Sequence, residues 1–250
     1  MASVFLTKRI EFSSSHRYHK PEWDDAKNRA TFGACNNDPG HGHNYMLEVT
    51  VSGEVDQRTG MVVNLFDLKR VLLHVLEEFD HKHLNRDLPY FERQIPTSEN
   101  IARVLWEKLD GQNNVGRLLS IRLYEDEDLC ADITAEAGLE VASVTKRYSF
   151  TAVHDGQRGH TWDLFVTVQG WIDPNTGMVI DIVALDQLVK DRVLTPFDGQ
   201  DLRMVLATDQ VTGEYLAEAL WGRLSSAIPT GTLQLIKLVQ TRDLSFEYAG

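Results

Sequence analysis

Cysteine is nearly absent from this 250-residue sequence, which carries only Cys35 and Cys130. That is too few for a disulfide scaffold at this length, so two reduced thiols and a cytoplasmic setting are expected. Positive charge is also scarce: 25 Lys and Arg stand against 37 Asp and Glu, a formal net charge of −12. Nucleic acid is therefore not an expected partner, because its strands are held chiefly by cations on phosphates. A small anionic substrate answers to local charge and stays allowed. Nowhere do about 18 apolar residues run together, and Met1 to Lys8 offers no basic lead into an apolar segment, so a soluble, unexported protein is expected. A G-x-G-x-x-G fingerprint and a P-loop are both missing, so no nucleotide cofactor is implied.

What the sequence does contain is one pattern written twice. G-H-N-Y-M-L-E-V-T-V (residues 42–51) is echoed by G-H-T-W-D-L-F-V-T-V (159–168), and T-G-M-V-V-N (59–64) by T-G-M-V-I-D (176–181). Phe12 with His16 returns as Phe150 with His154, Phe79-Asp80 as Phe197-Asp198, and Ile121 to Glu125 as Ile236 to Gln240. Two copies are too few for a solenoid, so a tandem duplication of one module is expected. The boundaries follow as residues 1–142 and 143–250.

Within the first copy, residues 3–13 and 45–55 are rich in Val, Phe, Thr and Leu with partial alternation, which favours strands. Leu65, Leu68, Val71, Leu72, Val75, Leu76 and Phe79 recur at three- and four-residue steps, one face of an amphipathic helix. Ser98 is placed to cap a second helix carrying Ile101, Val104, Leu105 and Leu109. Short strands near 117–126 and 129–136 complete the unit, and helices near 182–194 and 212–225 repeat it in the second copy. The expected class is α+β: in each module, a four-stranded antiparallel sheet with two helices on one face. Open sheet edges of this kind call for pairing, so association through edges is expected.

His41 and His43 flank Gly42 at the start of a strand, where side chains two apart share a face. His16 stands where the preceding strand ends, and antiparallel pairing of the two strands would bring it alongside. Three neutral imidazoles leave a zinc ion's charge uncompensated and a coordination position open. Read alone, H-G-H fits strand-end histidines as well as a metal site. Cys35 lies six residues before His41 across the turn formers Asn, Asp, Pro and Gly, and a thiol held near a dication should ionise below its free value of about 8.5.

The strings F-S-S-S-H-R (12–17), C-N-N-D-P-G-H-G-H-N-Y (35–45), T-G-M-V-V-N-L-F-D-L-K (59–69), F-D-H-K-H-L-N (79–85), P-T-S-E-N-I-A (96–102) and L-Y-E-D (123–126) resemble, in order, the 6-pyruvoyltetrahydropterin synthase family. The resemblance implies tunnelling-fold modules that assemble into barrels as a homo-oligomer, and a zinc ion held by His16, His41 and His43. It implies Cys35 as the proton-abstracting thiolate, with Asp80 and His81 as a coupled pair moving a second proton. Glu125 would anchor the amino-pyrimidine edge of a pterin, with Thr97 beside it. The reaction implied is loss of triphosphate from 7,8-dihydroneopterin triphosphate with internal hydrogen transfer. A 6-carboxytetrahydropterin synthase of the deazaguanine pathway is the nearest alternative, and a non-catalytic pterin- or metal-binding oligomer is another. Arg17, Lys20, Lys27, Arg29 and Lys82 are candidates for holding the triphosphate, beside Glu22, Asp24 and Asp25. His19 and Cys130 have no assigned role.

The second copy has Arg158 at the position of His41, Gly199 for His81 and Gln240 for Glu125, and it lacks the loop bearing Cys35. His154 and His160 remain, two imidazoles that make a poor zinc site beside an arginine. The second module is expected to keep the fold without catalysing.

Overall fold

The computed structural model describes residues 3–154 and 159–250. The chain divides into two compact units, Met1–Ser143 with Trp171–Met178, and Val144–Gly170 with Val179–Gly250.

In the first unit β1 (Val4–His16) is followed by α1 (Asp25–Phe32), a 3-10 turn (Gly33–Asn36) and β2 (His41–Gly53). Both strands run further toward the histidines than the expected 3–13 and 45–55, and their antiparallel register sets His16 opposite His41. Alternation survives the serine run: Phe12, Ser14 and His16 are buried while Ser13 and Ser15 are half-exposed. α2 (Leu65–Leu76) is capped by Asn64, whose side chain accepts from the Phe66 and Asp67 amides. It buries Leu68, Leu72, Val75 and Leu76, each contributing roughly 2 kcal/mol of transfer energy. The helix stops short of the expected Phe79, which is nonetheless fully buried in the turn that follows.

β3 (Lys82–His83), α3 (Leu84–Asp87), α4 (Ser98–Leu109), β4 (Arg117–Tyr124) and β5 (Leu129–Thr134) complete the unit. The strand order is β3-β1-β2-β4-β5. β3 lies parallel to β1 at Ser14 and Ser15, so this unit contributes five strands of mixed direction, not the four antiparallel strands expected. A two-residue strand leaves no periodicity for a sequence to display. The expected cap of α4 also shifts by one residue: Thr97 is extended and accepts from the Asn100 amide, and Ser98 is the first residue inside the helix.

In the second unit, β6 (Val141–Val153), β7 (Gly159–Trp171), α5 (Ile182–Val189), α6 (Thr195–Phe197), α7 (Leu202–Leu206), α8 (Gly213–Leu224), β8 (Thr232–Thr241) and β9 (Leu244–Tyr248) follow in chain order. The strands lie in the order β6-β7-β8-β9. The helix expected over 182–194 is α5 extended by a π-helical turn at Lys190–Leu194. α8 is capped by Thr212, which accepts from the Tyr215 amide as Thr97 does from Asn100. Even β3 has a remnant, a single parallel bridge between Val153 and Asp201. The class is α+β, and among the described residues no helix is long and apolar enough to cross a membrane.

Candidate metal centre

The paired ends of β1 and β2 bring three imidazoles into a triangle on the helix-covered face. Ring centroids are 4.9 Å apart for His16 and His41, 4.9 Å for His16 and His43, and 4.7 Å for His41 and His43. Glu125, just past the end of β4, joins them, and one ligand atom from each of the four residues lies within 4.8 Å of the others. Its Oε1 is 3.6 Å from His16 Nε2 and 3.5 Å from His43 Nε2, too long for hydrogen bonds. Both nitrogens are buried without a hydrogen-bond partner among the described residues.

That orphaning is specific to one side of the ring. His16 Nδ1 lies 3.0 Å from the Pro96 carbonyl and 3.0 Å from the Tyr45 hydroxyl. A carbonyl only accepts, so Nδ1 carries the proton and Nε2 presents a bare lone pair to the cluster, the tautomer a metal ligand needs. Burial, only partly opposed by Glu125, pushes the His16 pKa down to about 4. His41 is also lowered, by desolvation and then by His43. The His16–Glu125 contact is therefore a neutral imidazole facing a carboxylate at neutral pH, not an ion pair. Two unsatisfied buried nitrogens beside an anionic oxygen form a donor set that a divalent cation fits.

Glu125 is itself firmly held. Its Oε2 accepts from the Tyr18 hydroxyl at 2.9 Å and from Ser98 Oγ at 2.5 Å. Desolvation pushes its pKa up, yet His16, His43 and these two donors together hold it below the usual carboxylate value. Tyr18 and Tyr45 were not picked out from the sequence, and Ser98 was read only as a helix cap. Both tyrosines were within reach of it, since the two-residue step that aligns His41 with His43 continues to Tyr45, and the step from His16 leads to Tyr18.

Cys35 sits in the 3-10 turn and is not one of the clustered ligand residues. Its carbonyl accepts the Tyr18 amide at 2.8 Å, and the Tyr18 ring packs edge-on against His16 at 4.8 Å. The Tyr18 and Tyr45 hydroxyls are raised well above the ordinary tyrosine value by burial, then by Glu125, then by Cys35. The sulfur therefore lies near enough to both tyrosines for its thiolate form to disfavour their ionisation.

Asp80 and His81 pair directly, Oδ2 to Nδ1 at 2.9 Å. Asp80 Oδ1 accepts the Ser13 amide at 2.8 Å, and that bond is the first cause of its lowered pKa. The exposed His81 and the half-buried His43 line one cavity of about 480 Å³ with Ser13, Ser15, Gly42 and Asn44. Thr97 is fully buried; besides capping α4, its hydroxyl donates to the Gly177 carbonyl at 2.6 Å. His19 stands apart from the cluster, its Nδ1 3.1 Å from Asn36 Nδ2. Lys27 lies over the Trp23 ring at 4.0 Å, and Lys82 lines the cavity with His81. Cys130 is buried.

In the second unit His154 and His160 remain 5.4 Å apart, centroid to centroid, and His154 packs on Trp162. Arg158 lies outside the described residues.

The profile of the 6-pyruvoyl tetrahydropterin synthase family matches residues 5–136 and again 143–250. Human 6-pyruvoyl tetrahydrobiopterin synthase is 44% identical over 124 residues, 49% of this chain and 86% of that protein. A putative 6-carboxy-5,6,7,8-tetrahydropterin synthase of Archaeoglobus fulgidus is 40% identical over 111 residues, 41% of this chain and 89% of that protein. The structure of Caenorhabditis elegans 6-pyruvoyl tetrahydropterin synthase superposes with a TM-score of 0.52 at 38% identity, covering 54% of this chain and 97% of that one.

Proposed function

The chain belongs to the 6-pyruvoyl tetrahydropterin synthase family, and on that premise we propose that residues 1–142 form a zinc-dependent synthase that removes triphosphate from 7,8-dihydroneopterin triphosphate. The observation that carries this reading is the pair of orphaned nitrogens, His16 Nε2 and His43 Nε2, facing Glu125. His16, His41 and His43 would hold the ion. Bound there, zinc would act as a Lewis acid on the substrate's side-chain oxygens and make the neighbouring C–H bonds more acidic.

The other steps fall to the chain. Glu125, with Oε2 fixed by Ser98 and Tyr18, keeps Oε1 to accept N–H bonds from the pterin ring and so sets the depth at which the side chain meets the histidines. Cys35 takes the proton from the side-chain carbon as a thiolate. The Asp80 carboxylate fixes the His81 ring, which moves the second proton. The hydrogen lost from the side chain returns to the ring, so no external reductant is required. Incubation with 7,8-dihydroneopterin triphosphate should release inorganic triphosphate and a 6-pyruvoyl product. A 6-carboxy product would favour the second reading, which the archaeal relative supports. Binding without turnover would favour a non-catalytic pterin-binding protein.

Residues 143–250 keep the module layout without the chemistry, since Gly199 and Gln240 replace His81 and Glu125. We expect a homo-oligomer in which such modules close barrels. The turn at Asp56–Met61 and its copy at Asp173–Met178 make the same hydrogen bonds, the Asp amide to the Met carbonyl and the Gly amide to the Asp carbonyl. Met178 is 5% exposed and docked, whereas Met61 is 42% and Phe66 86% exposed, an apolar surface suited to a second copy. Two reduced thiols fit a cytoplasmic location.

A further inference from the structure

A second cavity, of about 460 Å³, is walled in part by chain neighbours of the histidine cluster. Covalent neighbours tie the two together. Arg17 follows His16, Pro39 lies two residues before His41, and Ile95 precedes Pro96, whose carbonyl holds His16 Nδ1. Four cations line the cavity, Arg17, Lys20, Arg86 and Arg93, against the two carboxylates of Glu22 and Glu92. On a chain of net charge −12 this is a local reversal of sign, of the kind that concentrates an anionic ligand.

The four cations are not equivalent. Arg17 is already committed: Nη1 meets Asp38 at 2.9 Å, Nε donates to the Asn36 carbonyl at 2.9 Å, and Asn85 clamps its backbone N–H and C=O at 2.8 Å each. It is a fixed post in the cavity wall, next in the chain to His16. Lys20 lies 5.3 Å from the Trp23 ring centre. Arg86 and Arg93 are exposed and form no ion pair among the described residues. A planar guanidinium with five donors and no protein partner is suited to bidentate recognition of an oxyanion such as phosphate.

We propose that this cavity receives the polyphosphate end of the substrate, with Arg86 and Arg93 as the groups that grip it. This rests on the synthase reading above, and it sets the direction of the substrate: ring toward Glu125, side chain across the histidines, phosphates past Arg17. The candidates drawn from the sequence were four cations of the loop that follows His16 together with Lys82, and neither arginine was among them. Arg86 and Arg93 come into play only where α3 and the segment before α4 fold against that loop.

The test compares equilibrium binding of inorganic triphosphate and of phosphate-free 7,8-dihydroneopterin to the full chain. The variants are Arg86→Gln with Arg93→Gln, and a charge-matched control, Lys69→Gln with Arg70→Gln, on the exposed side of α2. At about tenfold per charged hydrogen-bonding group, triphosphate affinity should fall roughly a hundredfold in the first pair and stay unchanged in the second. Dihydroneopterin affinity should stay within about twofold of the parent in both. Equal triphosphate affinity in parent and Arg86/Arg93 variant overturns the phosphate cavity and leaves the synthase reading standing. A parent protein that binds neither ligand sinks the synthase reading, and this proposal with it.

Discussion

His81 and Gly199 occupy the same turn of the two units with the same left-handed backbone, φ 57° and 72°. Around them the hydrogen bonds are repeated. The Ser13 amide donates to Asp80 and the Thr151 amide to Asp198, both at 2.8 Å, while the His81 and Gly199 amides bond the Ser13 and Thr151 carbonyls at 2.6 Å. The scaffold therefore accepts glycine here, and glycine is the residue this conformation favours.

A histidine at such a position costs about 1 kcal/mol in backbone strain, which points to a role outside folding. We expect His81→Gly to leave stability within about 1 kcal/mol of the parent, relief of strain offsetting the greater freedom of glycine in the unfolded chain. Turnover should fall by two to four orders of magnitude, roughly the share of a general acid or base. Thermal unfolding and triphosphate release measured on one preparation decide it. Retained turnover removes His81 from the mechanism.

Much of this site could be read from the sequence because it obeys short periods. The two-residue step of a strand aligns His41 with His43, and the helical step of α2 marks Leu68, Leu72 and Val75 as its inner face. Duplication supplied the rest of the outline, since Asp198 and Gly199 show which part of the Asp80 turn is scaffold. What stayed hidden depends on contacts without a period. β3 is two residues long, Ser98 reaches Glu125 across 27 positions, and Trp171–Met178 packs with the first unit although it follows a strand of the second. The one-residue error at the α4 cap arose because Thr97 and Ser98 are both good capping residues, and only the observed backbone separates them.

Acid should destabilise the metal-free protein before carboxylates titrate. His16 is held down to about 4 by burial, whereas an unfolded histidine titrates near 6.5. Between those values the unfolded chain binds a proton that the folded one refuses, so stability falls as pH drops through that window. The full effect is on the order of 3 kcal/mol. Glu125, with its lowered pKa, adds its own loss only below the ordinary glutamate range. Urea unfolding after chelation, from pH 7 to 4.5, should show the decline, and His16→Gln should flatten it. A flat profile in the parent would contradict the buried neutral imidazole.

Gly177 and Gly60 hold equivalent places in the duplicated turn, with φ 75° and 70°. A methyl group at Gly60 meets nothing within 4 Å, while at Gly177 it would collide with the Asn100 side-chain amide and sit 3.1 Å from Thr97 Oγ1. Gly60→Ala should therefore cost only the backbone strain, about 1 kcal/mol, and Gly177→Ala about 2–4 kcal/mol. Denaturant midpoints of the two variants, compared at equal slope, measure the difference. Equal losses would mean that the docked copy contributes nothing beyond its own turn.

Glu125 lies close enough to the three histidines to be either a fourth ligand or the anchor for the pterin, and the two roles part on substitution. A metal with four protein ligands is closed, whereas three imidazoles leave a position for substrate oxygen. Ser98 and Tyr18 already claim Oε2, and the separations of 3.5–3.6 Å leave Oε1 free to turn toward a ring edge. We therefore expect Glu125→Gln to keep one zinc per chain by elemental analysis. Affinity for 7,8-dihydroneopterin should drop about a hundredfold as a charge-assisted pair of bonds is lost. Loss of zinc with the substitution would make Glu125 a ligand and close the centre to catalysis. Two zinc ions in the parent chain would overturn the account of the second unit, where His154 and His160 stand without a third imidazole among the described residues.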